Sequence, residues 1–173
     1  GSYEAAKKAA DWFLSVFGKD YYLELQRHQY DKFIKEASNA EIKASLLAVS
    51  ENEKIINEGK IKLSRELGIP IIATNDAHYV RQEDAEAQDA LVCVATGKNV
   101  SDTNRIRFID AKTFYVRSPE EMHGLFQDLP DALDNTSKIA AKCDISITLD
   151  KWFFPKYELT EGKNPEEELT IRA

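Results

Sequence analysis

Apolar residues recur at helical spacing from the start of the chain: Ala6, Ala9, Ala10, Phe13, Leu14 and Phe17 share one face, and Gly18 stands where a left-handed cap would end a helix. That pattern predicts an amphipathic helix over residues 3 to 17. Tyr21 to Gln26 alternates in polarity and is rich in aromatics, which predicts a short strand with Leu23 and Leu25 on one face. Residues 28 to 50 mix many charged groups with Ile34, Ile42, Leu46 and Leu47, the pattern of a surface insertion carrying one or two helices. Ile55, Ile56, Ile61, Leu63 and Leu67 then predict a helix that ends at Gly68. Ile71-Ile72-Ala73-Thr74 follows, an apolar run of the kind found in strands buried on both faces of a parallel sheet. Strand, helix and strand in this order make a βαβ unit.

The second half reads as mainly helical, over 82 to 95, over 119 to 127 behind the capping box Ser118-Pro119-Glu120-Glu121, and over 131 to 143. Thr113 to Val116 is a short strand or extended segment between the first two of these helices. Beyond Asp144 the chain is extended and aromatic through Trp152-Phe153-Phe154-Pro155, until Asn164-Pro165-Glu166-Glu167 starts another helix. So dense an apolar cluster as Trp152 to Phe154 predicts burial, on this chain or on a neighbouring domain. The fold class is α/β, and 173 residues with 43% hydrophobic content can bury one sizeable core with an extension.

Charge narrows the function. The chain carries 23 Lys and Arg against 30 Asp and Glu, a net charge of -7, so it is not expected to be a main surface for gripping duplex DNA. Cys93 and Cys143 stand apart from any CxxC pair and read as reduced, buried, cytosolic residues. No stretch approaches the roughly 20 apolar residues of a membrane span. Gly1-Ser2 and the close at Thr170-Ile171-Arg172-Ala173, inside a helical pattern, suggest a piece of a longer protein.

The residues that carry chemistry are Thr74-Asn75-Asp76-Ala77-His78-Tyr79, directly after the apolar strand. Carboxyl ends of parallel strands are where α/β folds place reactive side chains. In an extended segment residues i and i+2 point to one side, so Asp76 and His78 can present a carboxylate oxygen and an imidazole nitrogen to one metal ion. Such a pair is half a site. The same spacing also suits a turn with an Asx-type hydrogen bond and a histidine in a polar rim. Glu24 and His28, at the end of the first strand, read as structural, with Glu24 satisfying nearby backbone or an arginine. Arg105 and Arg107 read as a solvated surface pair, His123 as a surface histidine, and Gly97-Lys98 as a helix C-terminus.

Thr74 to Tyr79 resembles the ATND-x-HY motif of the PHP domain in bacterial DNA polymerase III alpha subunits. Tyr21-Tyr22-Leu23-Glu24-Leu25-Gln26 resembles that family's FYLEIQ strand, and Glu83 to Lys98 resembles its EDAEAHDVLLCIQTGK segment. Asn104 to Phe108, Ser118 to Met122, Leu129 to Thr136 and Pro155 follow in the same order, so the resemblance covers nearly the whole chain. His28-Gln29 stands in place of the family's usual His-Gly, and residues 29 to 50 are longer than the common connection.

The resemblance implies the last strands of a distorted β/α barrel over residues 1 to 80, a helical extension over 81 to 150, and a linker towards a polymerase palm over 151 to 173. It implies divalent metal, zinc or manganese, held in part by Asp76 and His78, with Asn75 and Thr74 as supporting hydrogen-bonding residues, and upstream ligands outside this chain. The implied parent is a cytoplasmic DNA-directed DNA polymerase of replication, using magnesium for synthesis and partnering DNA, the rest of the alpha subunit, a sliding clamp and a proofreading subunit. A metal-dependent 3′-5′ exonuclease or phosphoesterase is implied at the PHP site, with the segment inactive by itself. Two other readings stay open: a stand-alone PHP phosphatase, and a non-catalytic module that binds other polymerase parts.

Overall fold

The structure, a computed structural model, describes residues 2 to 155 and 157 to 172. Gly1 and Ala173 lie outside the described residues. The chain is mixed α/β and divides between Cys143 and Asp144 into two units.

Helix α1 spans Tyr3–Phe17, with the Ser2 hydroxyl accepting from the Ala5 N–H at its start. It buries Ala10 against Leu23, Leu63 and Ile69, with Tyr3 and Leu14 alongside, while Phe17 on the predicted apolar face stays 54% exposed. Strand β1, Leu23–Gln26, pairs in parallel with β2, Ile71–Thr74, in the register Leu23 opposite Ile71 and Gln26 opposite Thr74. Leu23 and Leu25 are both buried, as their alternation predicts.

Between the strands runs α2, Ala40–Leu67, one helix of 28 residues. Here the expectation of a surface insertion over 28 to 50 followed by a separate helix is corrected. Only residues 30–32 and 34–36 form short 3-10 turns, after which Asn39 caps the helix by accepting from the Ile42 N–H. Ile42 and Leu46 are core residues packed with Ala111, and Tyr30, Phe33 and Ile34 close over them. The hydrophobic period fades in mid-helix because that stretch of α2 faces backbone. Glu53 accepts from the His28 N–H at 2.9 Å, Asn57 donates to the Gln26 carbonyl at 2.8 Å, and Lys60 donates to the Glu24 carbonyl at 2.8 Å. Gly68 at φ 68° then ends the helix in the left-handed region that glycine enters freely, and the chain turns back into β2.

The other edge of the sheet is closed in the same way. Helix α5, Pro130–Lys142, sends Asn135 to donate to the Ile71 carbonyl at 2.9 Å, and its Thr136 hydroxyl lies 3.0 Å from the Ala73 carbonyl and 3.3 Å from the Ala73 N–H. A two-stranded ribbon would otherwise expose rows of unpaired peptide groups. Helix α4, Pro119–Leu125, opens on the predicted capping box of Ser118 and Glu121 and delivers Phe126, fully buried against Leu25, Ala73 and Ala132.

Helix α3, Ala85–Thr96, ends at Gly97 as the sequence predicts. The pair Arg105 and Arg107 is corrected from solvated to enclosed: the Arg105 side chain is 1% exposed in a forked ion pair with Asp89, and Arg107 pairs with Asp110 at 2.6 Å. Cys93 is buried and free as expected, but Cys143 is exposed, because it lies just past the last turn of α5. In the second unit α6, Pro165–Arg172, starts from a reciprocal cap between Asn164 and Glu167. Trp152, Phe153 and Phe154 are exposed within this chain, with the rings of Trp152 and Phe154 stacked at 6.4 Å, so of the two expected burial sites only a neighbouring domain outside the chain is left to cover them.

Candidate functional site

Because β1 and β2 run parallel, Gln26-Arg27-His28 and Thr74 to His78 leave the sheet at the same end. The loop after β2 does not stay extended. Asp76 has φ 50°, in the left-handed region that aspartate tolerates better than most residues, so the pair is brought together by a turn and not by strand alternation. The outcome still puts both groups on one side: His78 Nδ1 lies 2.7 Å from the Asp76 carbonyl oxygen and 3.9 Å from its Oδ1. Both side chains are reached by solvent, at 38% for His78 and 49% for Asp76. With the Nδ1–H donated to that carbonyl, the lone pair of His78 lies on Nε2, which makes no hydrogen bond among the described residues.

The extended segment 113 to 116 is bolted to this loop. Asn75 Nδ2 donates to the Thr113 and Tyr115 carbonyls at 3.0 and 2.7 Å, and the His78 N–H donates to the Phe114 carbonyl at 2.7 Å. The Thr74 hydroxyl donates to Glu24 at 2.5 Å, so Glu24 serves a side chain of the neighbouring strand and not an arginine. Neither Thr74 nor Asn75 hydrogen-bonds the side chain of Asp76 or His78 among the described residues. Their contacts hold the strand end and the 113 to 115 segment that flank the pair. Phe114 forms a wall between two histidines, 4.4 Å from the ring of His28 and 5.8 Å from that of His78. Phe108 closes the other side of His78 at 4.6 Å.

His28 is 3% exposed and both its ring nitrogens are engaged. Nε2 faces the Gln26 Oε1 acceptor at 3.3 Å and Nδ1 the Thr113 hydroxyl at 3.1 Å, the pattern of a neutral ring with its proton on Nε2. Burial, with Arg117 nearby, lowers its pKa from 6.5 to about 4. In this form its Nδ1 lone pair accepts from the Thr113 hydroxyl, so both ring nitrogens serve the fold. His123 is exposed on α4, also as the sequence predicts.

As a donor set, Asp76 and His78 suit a borderline or hard divalent cation, through one carboxylate and one imidazole. Among the described residues no group of three or more His, Cys, Asp and Glu side chains is placed to hold a metal ion. No helix among the described residues is long and apolar enough to cross a membrane.

Fold and site together define a mixed α/β segment with its polar chemistry at the carboxyl end of a parallel strand pair. No family profile matches the chain. Curated relatives do: it is 44% identical over 158 residues to the DNA polymerase III subunit alpha of Borreliella burgdorferi, matching 91% of this chain and 12% of that protein. Proteins of the same name match from Campylobacter jejuni, at 39% identity over 91% of the chain, and from Helicobacter pylori strain 26695, at 38% over 99%. The chain belongs to the DNA polymerase III alpha subunit family, and spans about an eighth of the length of these relatives.

Proposed function

We propose that this chain is the C-terminal half of the PHP domain of a replicative DNA polymerase alpha subunit, with the segment that follows it, and that Asp76 and His78 supply two ligands to a divalent metal site completed by residues outside the chain. The observation that carries this reading is the turn at Asp76, which brings the His78 ring beside the Asp76 carboxylate at a strand end and anchors its Nδ1 on backbone. Metal-bound histidines are oriented in that way, by donating the second nitrogen's proton to a carbonyl or carboxylate.

When bound, zinc or manganese would lower the pKa of a coordinated water and stabilise charge on an attacked phosphate. Within this chain, Asp76 and His78 hold, Asn75 fixes the 113 to 115 segment, and Thr74 with Glu24 fixes the strand end. The parent is read as a cytoplasmic DNA-directed DNA polymerase that works on DNA with magnesium at a separate palm site. Its proposed partners are the sliding clamp and a proofreading subunit, and the segment alone is inactive.

Manganese-dependent release of nucleotides from a DNA 3′ end, measured on the alpha subunit that contains this segment, tests the phosphoesterase part. Asp76→Ala is expected to slow release by at least about tenfold, as disturbing a metal site does. Undiminished release in that variant would refute the role given to Asp76. An alpha subunit with no release at all would make the PHP portion a structural module.

A further inference from the structure

A cavity of about 410 Å³ opens beside His28, bounded by Gln29 and Lys32 after β1 and by Lys112, Tyr115, Arg117 and Glu121 on the other side. Its volume falls in the range of small-ligand sites, roughly 300–1,000 Å³. In a chain of net charge -7, three cationic side chains around one cavity run against the average.

The charges are unevenly spent. Glu121, the carboxylate of the lining, is already engaged by the Tyr115 hydroxyl and the Ser118 N–H. Lys112 makes a loose pair with Glu86 at 3.4 Å, and Glu86 is 75% exposed. Lys32 and Arg117 have no ion-pair partner among the described residues. Arg117 stacks over Tyr115, its guanidinium carbon 5.4 Å from the ring centroid, and its Nε is buried without a hydrogen-bond partner. A buried donor on a permanent cation is costly to leave unpaired, and a planar guanidinium held by stacking matches the oxygens of a phosphate.

We propose that this cavity binds a phosphate monoester of mononucleotide size, with Arg117 as the principal contact, Lys32 and Lys112 as supporting charges, and Gln29 and Gln82 as neutral hydrogen-bonding groups at the rim. The site needs no metal and does not rest on the reading of Asp76 and His78. The phosphate belongs either to a free nucleotide or to a phosphorylated strand end, the same chemistry in both cases.

Calorimetric titration of the full chain in EDTA, with dTMP, with 5′-phosphorylated tetrathymidylate and with thymidine, distinguishes these. Saturable binding of dTMP or of the phosphorylated oligonucleotide is expected with a Kd at or below about 1 mM, and none for thymidine. Arg117→Gln should weaken it about tenfold, the loss of a hydrogen bond to a charged group. Lys32→Gln, at an exposed position that the fold does not need, should weaken it severalfold. The two phosphorylated arms show which source the cavity reads. Absence of binding by both, thymidine binding as tightly as dTMP, or undiminished affinity in both variants would overturn the assignment. Because metal is chelated throughout, failure here leaves the metal reading untouched.

Discussion

Arg105→Ala is expected to destabilise the chain by about 3–5 kcal/mol, the penalty for leaving one member of a buried ion pair alone. The side chains of Arg105 and Asp89 are 1% and 4% exposed, joined by two bonds of 2.8 and 2.6 Å. The guanidinium also donates to the carbonyls of Val100, Asp102 and Ile106, and Asp89 accepts from the Phe108 N–H. One arginine thus ties the loop after α3 to that helix and sets Phe108 against His78. Burial pushes the Asp89 carboxyl up, but the hydrogen bond and charge of Arg105 more than offset it and leave it below the ordinary carboxylate value. A depressed carboxyl stabilises the fold above its unfolded pKa, roughly 3.9, and that contribution is lost as pH falls through the folded value. Urea unfolding of Arg105→Ala checks the magnitude. A change under about 1 kcal/mol, the range of exposed pairs, would show that the pair behaves as a surface contact.

Lowering the pH from 7 to 4.5 is expected to remove about 2 kcal/mol of stability through His28 alone. Its pKa of about 4 in the fold lies below the unfolded value of 6.5, so the folded state binds fewer protons between those limits. The contribution is whole above 6.5 and is lost as the pH falls through the window. Arg117 and His78 push the ring in that direction and Asp76 opposes them, but burial is the leading cause. His28→Gln, compared with the parent by urea unfolding at both pH values, should flatten this part of the profile. An identical pH slope in both proteins would show that His28 accepts a proton in the fold as readily as in the unfolded chain.

Much of the fold could be read along the chain, and the exceptions share a cause. The strands at Leu23–Gln26 and Ile71–Thr74 are short apolar or alternating runs bounded by caps, and such signals are local. The continuity of α2 was hidden because Glu53, Asn57 and Lys60 face β1, where a core helix normally shows apolar groups. Asn135 and Thr136 do the same for β2. A polar residue that satisfies a strand edge looks, in one dimension, like a polar residue in water. The burial of Arg105 leaves no mark in the sequence for the same reason, since its partner Asp89 lies 16 residues earlier on another element.

For the site, the pairing of Asp76 with His78 followed from their spacing, although the backbone reaches it through a left-handed turn at Asp76. No local pattern marked the Phe114 wall or the Asn75 clamp, because both depend on a segment nearly 40 residues away.

Metal content of the purified alpha subunit that contains this segment, compared with its Asp76→Ala and His78→Ala variants after equal dialysis, tests the central claim most directly. The account predicts that each variant retains less zinc or manganese than the parent per folded molecule, with the folded fraction of each measured alongside because His78 packs on Phe108 and Asp76 holds a positive φ. Equal metal in all three proteins would contradict it.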